Sequence, residues 1–166
     1  MRHHRQTLAL VVDEAVKMRA PVRSVRPLRA NDADGVALDR DETRALLAAA
    51  RDHRLGAAVA LLFLQGWRVS EVLGLAWEDV HFDAGTALVR RASVYVDRRG
   101  QQHGPPKTEG ARGEHWLMPT VVALLRKRKE VQDQERAVAP RWETMTYGGE
   151  RIHLVFTNPT GGLVLR

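Results

Sequence analysis

Cysteine is absent from this chain. Its absence excludes disulfides, thiolate metal sites and a cysteine nucleophile. Long apolar runs are missing too. The longest stretch free of Asp, Glu, Lys, Arg and His, Leu55 to Trp67, falls short of the ~18–20 residues that a membrane span needs. The opening MRHHRQTLAL has neither a continuous apolar segment nor a small-residue cleavage site. No secretory signal is therefore read, and a cytoplasmic location is expected. No Gly-x-Ser-x-Gly elbow marks a serine hydrolase. The histidines are scattered, with no Asp/Glu-His pair at ligand spacing, so no metal site is expected. Internal repeats and low-complexity tracts are absent as well.

What is present suits one ordinary domain, or one domain plus a fragment of another: 166 residues, 44% of them apolar and 28% charged. The net charge of +6 and the pI near 10.4 favour a polyanionic partner, nucleic acid first and an acidic membrane surface second. The charge is uneven. Residues 1–30 carry seven Lys/Arg against two acids, and residues 31–42 carry five acids against one Arg. A boundary is expected there, with residues 1–30 as one unit, 31–37 as a linker and 38–166 as the main domain.

Periodicity predicts an amphipathic helix in RQTLALVVDEAVKMRA, stopped by Pro21 and Pro27. Asp39 and Glu42 form the capping-box pattern at the start of a second helix, and Gly56 is read as its stop. AAVALLFLQ is apolar on every side and predicts a buried helix ended by Gly66. SEVLGLAWEDV restarts a short helix with Val72, Leu73 and Leu75 facing inward. TALVRRASVYVD alternates and is β-branched, as a strand is, and EHWLMP is a further strand. The polar GQQHGPPKTEGARG between them reads as a hairpin tip. TVVALLRKRKEVQDQER predicts a long helix with Leu124, Leu125, Val131 and Val138 aligned. TMTYGGER reads as a loop, and HLVFTNPTGGLVLR as a short strand and turn. The expected class is α+β, with helices packed on a small three-stranded antiparallel sheet.

Two basic residues stand out. Arg68 follows the most apolar segment of the chain. An arginine after a glycine most often caps carbonyls on a solvated helix junction. Here the preceding helix is expected to be buried, and Glu71 three residues on shares the helical face and is placed to orient the guanidinium. A guanidinium held by a carboxylate reads a phosphate well. Lys107 lies on an exposed loop, where a lysine is usually only solvated. Pro105 and Pro106 stiffen its approach, and Arg99 and Arg112 lie near it in sequence. A positioned lysine beside a phosphate acts as acid or clamp.

LLFLQGWRVSEVLGLAWEDV resembles the first signature box of the tyrosine recombinases, the phage-type integrases, through Gly66, Arg68, Glu71, Leu73, Leu75, Trp77 and Asp79. The family usually has Thr before the glycine and Leu after it, where this chain has Gln65 and Trp67. PPKT followed by HWLMP resembles the lysine-bearing β-hairpin, and LVFTNPTGG the strand and turn after the mid-domain helix. The three segments follow the family's order from about Leu38 onward. The N-terminal helix resembles the last helix of the upstream core-binding domain.

The resemblance implies a DNA strand transferase with these roles. Arg68 binds the scissile phosphate, Lys107 protonates the 5′-oxygen leaving group, and Glu71 supports Arg68. Arg99 and Arg112 are expected to contact DNA. It also implies double-stranded DNA as partner, tetrameric assembly on it, and no cofactor. The family's second box, His-x-x-Arg, is absent: none of the seven histidines has Arg three residues later. The two tyrosines, Tyr95 and Tyr147, stand outside the nucleophile's context. The chain is therefore expected to hold the N-terminal part of a catalytic domain, C-terminally truncated, catalytically incomplete alone and marginal in stability. Two other readings compete with this one. A helix-turn-helix DNA-binding module would place the Gly66 turn between its helices. A structural fragment would carry its basic charge only as composition.

Overall fold

The computed structural model describes residues 38–96, 100–106 and 112–164. The helix read at residues 5–20 and the linker lie outside the described residues. The first described helix, α1 (Arg40–Ala50), begins with the predicted box: Asp39 Oδ1 accepts from the amides of Asp41 and Glu42, both at 2.8 Å, and Glu42 Oε2 accepts from Asp39 N at 2.9 Å. Its inward face carries the partly buried Leu47 and the buried Ala50.

Gly56 does not stop α1. It is the first residue of α2 (Gly56–Leu64). A Cβ here would sit 2.2 Å from the Ala50 carbonyl oxygen, so only glycine lets α2 start hard against the end of α1. The helix itself is GAAVALLFL, and its residues from Gly56 to Leu61 are buried, as uniform apolarity requires. The next segment is not one helix but α3 (Val69–Gly74) followed by a 3₁₀ turn over Trp77–Asp79. Val72, Leu73 and Leu75 do face the core.

β1 (Val80–His81), β2 (Thr86–Val89) and β5 (Gly113–Trp116) form a three-stranded antiparallel sheet in the order β1-β2-β5. The register aligns Val80 with Ala87 and Thr86 with Trp116. The predicted long strand through TALVRRASVYVD is broken. β2 ends at Val89, and β3 (Ala92–Val96) pairs instead with β4 (Gly100–Gly104). Asp79 causes the break. Its side chain is 3% exposed and holds Arg90 Nε at 2.9 Å and Arg91 Nη2 at 2.8 Å. Adjacent strand residues point to opposite faces, so a strand that turns two neighbouring arginines onto one carboxylate must leave its pleat. Arg91 also donates to the Gly74 carbonyl at 3.3 Å, tying β3 to the end of α3.

The long helix α4 (Pro119–Val138) starts where expected, with proline in its first turn. Its buried stripe is Val121, Leu125, Arg128 and Gln132, whereas Val138, expected inward, is 82% exposed. The stripe turns polar because of what it meets. Residues 154–157 are buried but join no strand, only the bridges Ala76–Leu154 and Thr157–Leu163. Their backbone acceptors are met by side chains instead. Gln132 Nε2 donates to Leu154 O at 3.0 Å and Arg128 Nε to Val155 O at 3.0 Å. The strand expected in HLVF is thus an extended segment held by α4. TMTYGGER is not a loop but the hairpin β6 (Met145–Tyr147) and β7 (Glu150–Ile152), turned at Gly148 and Gly149, both with positive φ.

The main core lies between α2, α3, α4 and the β1-β2-β5 sheet. Leu61, Leu125 and Phe156 are its largest fully buried side chains, each stabilising by about 2–3 kcal/mol through burial. No described helix is long and apolar enough to cross a membrane.

Candidate active site

Arg68 sits at the hinge between two helices. α2 ends at Leu64, and Gly66 takes a φ of +67°, which reverses the chain. Trp67 then plunges inward. It is 7% exposed and meets the His115 ring edge-on at 5.6 Å between centroids. Arg68 follows as the N-cap of α3, with extended backbone. A buried tryptophan on one side and a helix start on the other fix the arginine backbone at the surface.

Glu71 fixes its side chain. Oε2 accepts from the Arg68 amide at 2.9 Å, and Oε1 accepts from Arg68 Nη1 at 2.9 Å. An arginine cannot accept, so this is one half of a capping box: the glutamate reaches back while the N-cap residue supplies only donors. The carboxylate is 8% exposed and the arginine side chain 47%. Burial of the anchor and exposure of the cation leave most guanidinium N–H groups directed outward. Among the described residues, the guanidinium bonds to Glu71 alone. A single outward guanidinium on a buried carboxylate is suited to a tetrahedral oxyanion.

Gln65 is part of this hinge. Its Nε2 donates to the Trp116 carbonyl at 2.5 Å, and its Oε1 faces the Met118 amide at 3.4 Å. One carboxamide thereby ties the end of α2 to the exit of β5. No local signal reveals this, because the partners lie 51 and 53 residues away. Trp116 itself is 78% exposed beside this junction.

Lys107 and Arg99 lie outside the described residues. Arg112 is exposed at the entry to β5, at the opposite end of that strand from the Trp116–Gln65 contact. The remaining signature residues are structural. Trp77 donates from Nε1 to Gln132 Oε1 at 2.5 Å, and Asp79 organises the strand break. Tyr147 lies in β6 with the Arg91 guanidinium 5.4 Å above its ring.

Residues 37–137 match the model of the phage integrase family. No curated protein sequence matches the chain. Solved structures of similar fold include the integrase of the Tn1549 transposon in complex with transposon right-end DNA. That integrase is 16% identical with a TM-score of 0.66, and the match covers 82% of this chain and 42% of that one. The same integrase in complex with a circular intermediate DNA is 14% identical with a TM-score of 0.62, over 99% of this chain and 52% of that one. The chain thus spans about half the length of the solved integrases it matches.

Proposed function

The chain belongs to the phage integrase family, and from that premise we propose that it is a DNA-binding part of a site-specific tyrosine recombinase acting in DNA integration and recombination. The observation that carries this is the outward Arg68 guanidinium anchored by the buried Glu71. In the proposed role, Arg68 takes a non-bridging oxygen of the scissile phosphate. The contact strengthens as charge builds on those oxygens in the pentacovalent transition state. Lys107, on the connection from β4 to β5, protonates the 5′-oxygen as it leaves. Arg99 and Arg112 add contacts to the duplex backbone, on which the assembly is a tetramer in the cytoplasm.

The chain does not cleave strands by itself in this reading. Its 166 residues contain no His-x-x-Arg, and the Tyr147 ring packs under the Arg91 guanidinium. The helix-turn-helix alternative is disfavoured by α3. Five of its residues, Val69, Glu71, Val72, Leu73 and Gly74, are buried, and a recognition helix needs a face to offer the groove.

Fluorescence anisotropy with a duplex tests the reading. Affinity is expected to fall steeply with salt, at a slope of about 0.9 per phosphate contacted. Arg68→Ala should lower that slope by about 1. A nicked suicide substrate should trap no covalent complex. Salt-independent binding, or an unchanged slope in Arg68→Ala, would refute the phosphate role; a trapped adduct would refute the catalytic incompleteness.

A further inference from the structure

We propose that Arg90, aimed by Asp79, is a DNA-backbone contact that works side by side with Arg112 at one end of the β1-β2-β5 sheet. The inference rests on DNA being the partner, and not on the role of Arg68. Asp79 is one carboxylate with two guanidiniums on it: Arg90 Nε lies 2.9 Å from Oδ1 and Arg91 Nη2 lies 2.8 Å from Oδ2. The two arginines are not equivalent. The Arg91 side chain is 5% exposed and that of Asp79 3%, so the buried cation takes the charge of the buried anion. The Arg90 side chain is 59% exposed. Its positive charge is the surplus one, and it stands at the surface. Asp79 fixes it through Nε, which leaves the Nη groups for a phosphate. Arg68 on Glu71 is built in the same way, an outward guanidinium on a buried carboxylate.

The sheet sets a second arginine beside it. The last pair of the β2-β5 ladder joins Val89 to Gly113. Arg90 follows Val89 and Arg112 precedes Gly113, so the two leave the sheet from neighbouring strands, which run ~4.8 Å apart. Both residues are exposed. The acid on β5 close to Arg112 in sequence is Glu114, and it is engaged with the other strands: its Oε1 accepts from Thr86 Oγ1 at 2.6 Å and lies 3.4 Å from His81 Nδ1. Like charges side by side on paired strands repel. A phosphodiester lying across both relieves that repulsion, and guanidiniums suit its oxygens. Arginines that meet only phosphate position a duplex without reading its sequence.

The salt dependence of duplex binding by the full chain, read by anisotropy, tests this. Arg90→Gln and Arg112→Gln should each lower the salt slope by about 1, alike on duplexes of unrelated sequence. Arg90→Lys should restore the slope, because it returns the charge. Circular dichroism should show Arg90→Gln folded at the assay temperature, since Asp79 keeps Arg91. Arg44→Gln is the control. Arg44 is also an exposed, ion-paired arginine, but its partner Asp41 is exposed too, and the slope should not change. If Arg112→Gln lowers the slope and Arg90→Gln does not, Arg90 serves Asp79 alone and the inference is wrong. If Arg44→Gln lowers it as much as Arg90→Gln, only net charge is being read, and the inference is equally wrong. Should Arg68→Ala lower the slope while Arg90→Gln leaves it unchanged, the proposed function stands without this contact. Should Arg90→Gln lower it while Arg68→Ala does not, this contact stands and the role of Arg68 falls. Salt-independent binding by the unsubstituted chain overturns both.

Discussion

Replacing Glu71 by alanine probes the anchor of Arg68 directly. The change removes two acceptors at once. The Arg68 amide loses its partner at the first turn of α3, a loss of about 1 kcal/mol by analogy with other caps. The guanidinium loses its only described partner. Because that arginine is 47% exposed, water replaces much of the contact, and about 0.5–1 kcal/mol is the appropriate scale. The sum is about 2 kcal/mol, or a fall in Tm of about 4–8 °C for a chain of this size. DNA affinity should fall separately. An arginine no longer held must be ordered by the ligand, at about 1 kcal/mol, which is about fivefold in Kd. Glu71→Gln retains volume and one acceptor, so it should show about half of each effect. Thermal melting followed by circular dichroism, together with anisotropy on the same duplex, reads both numbers. A Glu71→Ala protein that melts earlier but binds DNA as before would show that Glu71 braces α3 without aiming Arg68. No change in either would refute the whole account of the anchor.

Arg128→Met removes a guanidinium that is 2% exposed and bonded to Val155 O, Glu135 and Thr157. Urea unfolding should show a loss of about 3 kcal/mol, because the partners stay buried without it. Gly74→Ala places a Cβ 2.6 Å from the Arg91 carbonyl oxygen, between α3 and β3. It should destabilise by about 2 kcal/mol, whereas Gly104→Ala, whose Cβ would meet only Val94 Cγ2 at 3.8 Å, should be nearly neutral in the same assay. His103 carries a pH dependence. Both ring nitrogens are buried without a partner among the described residues, and burial, then the nearby Arg91 charge, holds its pKa below the ordinary 6.5. Its contribution to stability is complete above 6.5 and is lost as pH falls below that value through the folded pKa, since the unfolded chain takes the proton first. Tm measured from about pH 8 down to about pH 5 should drop, and His103→Leu should flatten that part of the profile.

The readable parts of this fold share a short range. Asp39 and Glu42, and Arg68 and Glu71, are three residues apart and interact as their spacing predicts. The apolar α2 segment and the helix beginning at Pro119 announce themselves by composition and period. The Gly148–Gly149 turn carried a hairpin signal, two glycines between alternating segments, which reading TMTYGGER as a loop missed. Gly56 misled because a glycine after a helix usually stops it; here it starts the next helix at a close contact with Ala50 that only packing reveals.

By its sequence alone, then, this chain determined its family's signature, its α+β class and the address of its arginine, because those depend on local spacing and on which residue types stand together. Tertiary structure decided the rest. Asp79 broke a continuous alternating pattern into β2 and β3 by gathering Arg90 and Arg91. Arg128 and Gln132, polar residues that periodicity assigns to water, turned inward because residues 154–157 arrive there with unpaired carbonyls. Gln65 became part of the site only because β5 ends beside it. In the first two cases the deciding partner is a buried charge or backbone group that must be satisfied; in the third it is the carbonyl of the exposed Trp116, brought there by a segment distant in sequence.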